Sequence, residues 1–95
     1  MPVFDNADAD YVRWLETHPG GYVLNTYRKP HPDYLILHRA TCKSISRTAS
    51  APIAWTSGDY IKICADSLGD LEAWSRVAVD GKPQPCGQCH PYGRS

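Results

Sequence analysis

The spacing of apolar positions along the chain predicts two helices. The first begins at Asp8 as its N-cap and runs through Glu16, because apolar side chains recur there at intervals of three and four residues. That stripe consists of Tyr11, Trp14, Leu15 and His18. The second helix is capped by Asp66 or Ser67 and ends near Gly81. Its stripe consists of Leu68, Leu71, Trp74 and Ala78.

Runs of β-branched and aromatic residues predict three strands. They are GYVLNTY at 21–27, YLILHRA at 34–40 and YIKICA at 60–65. A proline-containing turn between the first two indicates an antiparallel hairpin. Residues 43–59 lack periodicity and are predicted to be the most mobile loop, and the tail after Gly81, rich in proline and glycine, is predicted to lack regular structure. The expected fold is α+β, with an N-terminal helix, a three-stranded antiparallel sheet, a second helix and the tail.

Length and composition narrow the class of protein. The 95 residues suffice for a single domain, 1–95, whose small core is marginally stable unless a metal or a cross-link supports it. The segment MPVFDNADAD lacks the basic start and apolar run of a signal peptide, and the longest apolar run, YLILH, is too short to cross a bilayer. We expect a cytoplasmic protein with no membrane partner, in which paired cysteines bind metal rather than form disulfides.

Charged residues are unevenly distributed, although the formal net charge is zero. The N-terminal quarter of the chain is acidic, whereas residues 26–62 contain more basic than acidic side chains. A local surplus of positive charge suits a surface that binds an anion, and a mixed surface that serves solubility is the alternative.

The sequence CGQC at 86–89 is the main chemical motif. A C-x-x-C turn points two sulfurs to one side and frequently forms half of a tetrahedral zinc site. The other half is predicted in HRATC, where His38 and Cys42 lie at the end of the second strand. We therefore predict one structural Zn²⁺ that is bound by His38, Cys42, Cys86 and Cys89 and stabilises the domain by anchoring the tail.

Other interpretations of these residues are less favoured. Cys64 lies inside the third strand, where a small core side chain is expected, and His90 directly follows Cys89, so that both side chains rarely reach one ion. Both nevertheless stay open as alternatives to His38 for the fourth ligand. Redox catalysis of the thioredoxin type requires C-x-x-C at the start of a helix after a strand, whereas this motif follows a helix and precedes a proline.

The motifs HRATC, YIKICA, SLGDLEAW and PCGQCHP together resemble the small zinc domain at the N-terminus of Ada-type DNA repair proteins, in a variant form appended to bacterial nucleases. The resemblance covers residues 34–92, and residues 1–33 lie outside it. It implies a structural zinc at the four predicted ligands and a surface that faces DNA. In Ada-type proteins the first cysteine accepts a methyl group from a phosphotriester. The corresponding residue here is His38, whose imidazole cannot act as a thiolate nucleophile, so we do not expect an enzyme.

The sequence favours a non-catalytic zinc module that binds DNA in a repair or defence context. Basic residues would contact phosphates, and an aromatic residue would stack on an unpaired base. The candidates are Arg28, Lys29, Arg39, Lys43, Arg47 and Trp55, with Tyr34 as a second stacking residue. A protein-interaction module is the main alternative, favoured by zero net charge and an acidic N-terminal helix. Thiol-based repair through Cys42 is less favoured, and no small-molecule substrate is expected.

Overall fold

The computed structural model describes residues 1–46 and 55–93 and has an α+β fold. Its helices are α1 (Asp8–Thr17), α2 (Lys43–Ser46) and α3 (Leu68–Val79). Its strands are β1 (Val3–Phe4), β2 (Tyr22–Tyr27), β3 (Leu35–Arg39), β4 (Tyr60–Ala65) and β5 (Gln84–Pro85). Within the described residues these strands form one mixed sheet in the order β1-β4-β2-β3-β5.

The three predicted strands form the centre of the sheet. β2 pairs antiparallel with both β3 and β4, in agreement with the predicted hairpin. The predicted count of three strands was wrong, because β1 pairs antiparallel with β4 and β5 pairs parallel with β3. Each of these outer strands has 2 residues, too few for an alternating pattern in the sequence. The tail therefore contains a short strand at Gln84–Pro85, where none was predicted.

The core consists of two buried clusters on opposite faces of the sheet. On one face α1 packs through Tyr11 and Leu15, and on the other α3 packs through Leu71. Successive residues of β2 alternate between them, because Val23 belongs to the first cluster and Leu24 to the second. We call the first surface the α1 face; its residues in β2 are Val23, Asn25 and Tyr27. The sheet is thus covered by helices on both sides.

The predicted N-cap residue was correct for α3 and wrong for α1. Ser67 is the N-cap of α3, and its side chain accepts a hydrogen bond from the N–H of Asp70 at 3.2 Å. At α1 the N-cap is Ala7, and Asp8 is the first helical residue. The predicted stripe of α3 was wrong at Ala78, which is exposed. In the described parts of the chain, no helix has both the length and the apolar character needed to traverse a bilayer.

The predicted mobile loop contains regular and hydrogen-bonded structure. Its first residues form α2, and residues 47–54 lie outside the described part of the chain. Further along, the carboxylate of Asp8 accepts hydrogen bonds from the backbone N–H groups of Trp55 at 3.2 Å and Thr56 at 2.7 Å. Burial raises the pKa of Asp8, but hydrogen bonds from the Thr56 hydroxyl and from these two N–H groups outweigh burial and lower the pKa overall. The segment that begins at Trp55 is therefore hydrogen-bonded to the start of α1, and the predicted mobility of residues 43–59 stays a prediction.

Candidate metal centre

The end of β3 and the tail bring four metal-binding side chains together. His38 lies in β3, Cys42 follows that strand, and Cys86 and Cys89 belong to the C-x-x-C turn after β5. The potential ligand atoms of these four residues all lie within 4.8 Å of one another. The structure therefore gathers the same four residues that the sequence singled out as zinc ligands.

The spacing of these atoms fits a tetrahedral ion. Zinc bonds of about 2.3 Å to sulfur and about 2.0 Å to nitrogen place neighbouring ligand atoms roughly 3.5–3.8 Å apart. The Sγ atoms of Cys42 and Cys86 are 3.9 Å apart, close to that tetrahedral edge. Three sulfurs and one imidazole are also a donor set that zinc accepts in closed structural sites. The cluster can therefore hold a divalent metal ion with four protein ligands.

Backbone hydrogen bonds position the C-x-x-C turn against β3. The N–H of Cys86 donates to the carbonyl of Leu37 at 2.9 Å, which continues the pairing of β5 with β3. The N–H of Arg39 donates to Sγ of Cys89 at 3.2 Å, and the N–H of Gln88 donates to Sγ of Cys86 at 3.4 Å. Burial raises the pKa of Cys86, but N–H donors in the turn outweigh this effect and lower it overall. Burial instead raises the pKa of Cys89 to about 12, so the turn favours a thiolate at Cys86 and not at Cys89.

The side chain of Arg39 fixes the turn from the end of β3. Its Nε donates to the carbonyl of Cys89 at 2.8 Å, and its Nη2 donates to the carbonyl of His90 at 2.9 Å. His90 lies in the left-handed region with φ of 48°, a conformation that a non-glycine residue adopts at some cost. Arg39 thus supports a strained turn directly after the last ligand, a role that the sequence did not reveal.

Burial keeps His38 in the neutral form that binds a metal ion. Burial, with a smaller contribution from the positive charge of Lys62, lowers the pKa of His38 to about 4. A neutral imidazole has a free lone pair, whereas a protonated one has none to donate. The hydroxyl of Ser44 lies 3.4 Å from Nδ1 of His38 and 3.1 Å from Sγ of Cys42, so it links the two ligands of the HRATC half-site.

The two alternative ligands lie outside the four-residue cluster. Cys64 is fully buried in β4 and packs in the core beside Val23 and Tyr11, in agreement with its predicted core role. Burial raises the pKa of Cys64 to about 12, which keeps it a thiol. His90 contributes its backbone to the turn, through the carbonyl that accepts from Arg39.

The N-terminal helix supports the ligand loop, although it lies outside the segment of resemblance. The hydroxyl of Tyr11 in α1 donates to the carbonyl of Ile45 in α2 at 2.6 Å, and the ring of Tyr11 is fully buried. Ile45 follows Cys42 by three positions, and its N–H donates to the carbonyl of Cys42 at 3.2 Å. Residues 34–92 therefore depend on α1 for the packing of one half-site.

The residues predicted to contact nucleic acid do not lie on one surface. Arg39 and Lys43 lie near the metal cluster, because they belong to the end of β3 and to α2. Arg28 and Lys29 lie beyond the opposite end of β2, in the turn towards β3. Arg47 lies outside the described residues. The basic segment seen in the sequence is thus divided between the two ends of the sheet.

Several of these residues are engaged within the protein. Arg28 pairs with Asp5 and donates to the carbonyls of Thr56 and Gly58. Trp55 is half-buried, and its ring centroid lies 6.3 Å from that of Tyr11. Both side chains therefore fix the loop before β4 to its surroundings. Lys29 and Lys43 are exposed.

A tyrosine cluster that the sequence analysis missed lies at the turn end of the α1 face. Its members are Tyr27, Tyr34 and Tyr60. The ring centroid of Tyr27 lies 4.8 Å from that of Tyr34 and 5.8 Å from that of Tyr60. Tyr27 is 42% exposed, and exposed Lys29 follows it by two positions. The signal in the sequence was a tyrosine at the end of the first predicted strand and another at the start of the third, which the pairing of β2 with β4 brings together.

Comparisons with protein-family models, with curated proteins and with solved structures gave no match. The resemblance to Ada-type zinc domains therefore stays a hypothesis that rests on the sequence motifs.

Proposed function

We propose that the chain is a non-catalytic zinc module in which His38, Cys42, Cys86 and Cys89 bind one structural Zn²⁺. The observation that supports this proposal is the convergence of four ligand atoms to within 4.8 Å. Four protein ligands complete a tetrahedron, so water and substrate have no open coordination position. A closed site of this kind stabilises a fold and does not activate a reactant.

The proposed ion acts as a cross-link between β3 and the tail. β5 has 2 residues, so its pairing alone is a weak attachment. Cys42 and Cys86 are 44 residues apart in sequence, and a metal bond between them closes a long loop. In zinc-finger peptides metal binding contributes on the order of 10 kcal/mol, comparable with the whole stability of a small domain. The ion would therefore supply a large part of the folding free energy.

Native mass spectrometry of the reduced protein, after incubation with zinc, tests this function. We expect one zinc per chain in the wild type and none in Cys86→Ser, and we expect weaker binding in His38→Ala. Cys64→Ala is the matched control, because Cys64 is buried outside the cluster, and it should retain the metal. A folded wild-type chain that takes up no zinc would contradict the proposal.

We further propose DNA as the ligand of the module, bound as a single strand at the tyrosine cluster. The observation that favours this function is the exposure of Tyr27 and of Lys29, which follows it by two positions. Aromatic side chains that stack on unpaired bases contribute about 1–3 kcal/mol per base, and lysines add a salt-dependent attraction to phosphates. Both kinds of contact are available at the turn end of the sheet.

Fluorescence anisotropy with a labelled single-stranded oligonucleotide at low salt tests the DNA proposal. Tyr27→Ala should weaken binding by about tenfold, and Lys29→Ala should weaken it and reduce its salt dependence. Lys43→Ala, at the metal end, is the matched control and should leave affinity unchanged. If Lys43→Ala were the damaging variant, the ligand would bind at the metal end instead. Absence of any binding would favour the protein-interaction alternative.

A further inference from the structure

The sulfurs of the metal cluster differ in exposure. Cys42 is 4% exposed and Cys86 is 8% exposed, and their Sγ atoms are 3.9 Å apart. Cys89 is half-buried and accepts a hydrogen bond from the N–H of Arg39. The close pair of buried sulfurs therefore connects the loop after β3 with the tail, which is the same connection that a bound ion would make.

We propose that Cys42 and Cys86 form a dithiol that hydroperoxides oxidise to a disulfide. The contact between the loop after β3 and the tail is then held by zinc in the reduced protein and by an S–S bond in the oxidised protein. This inference rests on the proposed zinc site. The four-residue cluster is then a site of covalent modification as well as a structural site. Hydrogen peroxide is the simplest oxidant of the proposed class.

The reaction balances as a two-electron oxidation of two thiolates. One thiolate attacks the O–O bond of hydrogen peroxide, which gives a sulfenic acid and hydroxide. The second thiolate attacks the sulfenic sulfur, forms the S–S bond and releases a second hydroxide. Both hydroxides take up protons to become water. Zinc leaves as Zn²⁺, because two of its four ligands are no longer thiolates.

Backbone hydrogen bonds hold both Cys42 and Cys86 near the end of β3. The N–H of Cys42 donates to the carbonyl of Arg39 at 3.0 Å, and the N–H of Cys86 donates to the carbonyl of Leu37 at 2.9 Å. Both cysteines are therefore tied to the end of β3, independently of a metal ion. A disulfide has an S–S bond of about 2.05 Å, so the two sulfurs need to approach by roughly 2 Å.

The oxidised state would keep the tail on the sheet. A bond between residues 44 positions apart restricts the unfolded chain, so it stabilises the folded form after the metal has left. Cys89 would then be a free, half-exposed thiol, whereas Cys64 would stay a fully buried one. The two remaining thiols therefore give the oxidised protein a distinct pattern of alkylation.

Peroxide treatment of the zinc-loaded protein tests this inference. We expect one zinc released per chain, measured with a chromogenic chelator, and one Cys42–Cys86 cross-linked peptide in non-reducing mass spectrometry. Iodoacetamide should then modify Cys89 and spare Cys64, and circular dichroism should show a retained fold. Cys64→Ala should behave like the wild type, and Cys86→Ser should form no disulfide at Cys42.

Three results would overturn the inference: a Cys86–Cys89 disulfide as the main product, sulfinic acids without a disulfide, or loss of structure in the oxidised chain. Metal content measured before peroxide addition separates this inference from the zinc proposal. If the starting protein binds no zinc, the zinc site fails on that measurement, and the disulfide map of the oxidised chain still decides whether the dithiol exists.

Discussion

At the scale of single residues, Lys62 is a buried cation at the centre of the α1 face. It is 3% exposed, and its Nζ donates to Oδ1 of Asn25 at 2.8 Å and to the carbonyl of Trp55 at 2.7 Å. The same Nζ lies 5.9 Å from the ring centroid of Tyr11 and 5.8 Å from that of Tyr60. The neutral acceptors and aromatic rings replace only part of the hydration that the Lys62 ammonium loses on burial. Burial therefore lowers the pKa of Lys62 to about 8.

Lys62 should make the free energy of unfolding rise with pH under alkaline conditions. Its pKa is about 8 in the folded protein against an ordinary value of 10.5, so the unfolded chain binds more protons between these pH values. Stability attributable to this residue therefore increases as pH rises through that window, by about 1.4 kcal/mol per pKa unit. Lys62→Met should remove this increase. Urea unfolding of both proteins from pH 7 to pH 10, in saturating zinc, measures the difference, and parallel profiles would contradict it.

Arg39 should act on metal affinity through the C-x-x-C turn. Its guanidinium holds the carbonyls of Cys89 and His90, so its loss frees the turn after the last ligand. We expect Arg39→Ala to weaken zinc binding by about 10–100-fold, in the range found for groups that orient ligands. Competition with a chelator of known affinity measures this. Arg28→Ala, which also removes hydrogen bonds to backbone carbonyls but at the other end of the sheet, should leave zinc affinity unchanged.

The variant Arg39→Lys distinguishes the effect of the Arg39 hydrogen bonds on zinc affinity from the effect of its positive charge. Lysine retains the positive charge but cannot make the two divergent bonds that Nε and Nη2 make here. If zinc affinity falls in Arg39→Lys as in Arg39→Ala, the bonds position the turn. Full affinity in Arg39→Lys would instead show that charge near the thiolates is what matters.

At the scale of elements, α1 should stabilise the metal site through a single hydrogen bond. Tyr11→Phe removes the donor to the buried carbonyl of Ile45, which has no other hydrogen-bond donor among the described residues, and this loss costs about 1–3 kcal/mol. We expect a lower unfolding midpoint and weaker zinc binding. Tyr22→Phe is the control, since the described residues provide no hydrogen-bond partner for the Tyr22 hydroxyl. Equal behaviour of the two variants would contradict a supporting role for α1.

Elements with a strong local pattern were predictable from the sequence, and those made by tertiary pairing were not. β4 begins and ends where YIKICA does, and β2 and β3 differ from their predicted bounds by no more than a residue at each end. β1 and β5 arise because the chain ends meet the outer strands of the sheet, and 2 residues carry no period of their own. α2 is one turn long, inside a segment whose composition favours a loop.

The same distinction explains the candidate site. The four-residue cluster was predictable because C-x-x-C and H-x-x-x-C spacings bring potential donor atoms together by local geometry. The basic residues were not, because the partner of a guanidinium depends on the fold. Arg28 bonds carbonyls before β4, and Arg39 bonds carbonyls of the tail, each more than 25 positions away in sequence. Spacing therefore identifies a metal cluster, whereas charge along a sequence does not identify a surface.

At the scale of the whole molecule, the metal cluster joins the edge of the sheet to the last residues of the chain. The centre of the sheet is held independently, because β2 pairs along its length with β3 and β4 and both faces are packed against helices. The described tail has fewer attachments, through β5, the backbone and side chain of Arg39, the hydroxyl of Tyr92, which donates to Glu72 in α3, and the proposed ion. Removal of the ion should therefore loosen the molecule from the tail inwards.

Hydrogen exchange with and without a chelator tests this order. In the reduced protein, chelation should first expose the amide of Cys86, bonded to Leu37, and the amide of Arg39, bonded to Sγ of Cys89. Amides between β2 and β4 should exchange later, because opening them requires disruption of the core. The peroxide-treated protein should keep the Cys86 amide protected in chelator, since a disulfide at Cys86 replaces the metal contact. If metal-free, reduced protein retained protection throughout the tail, the ion would not be the cross-link on which the fold depends.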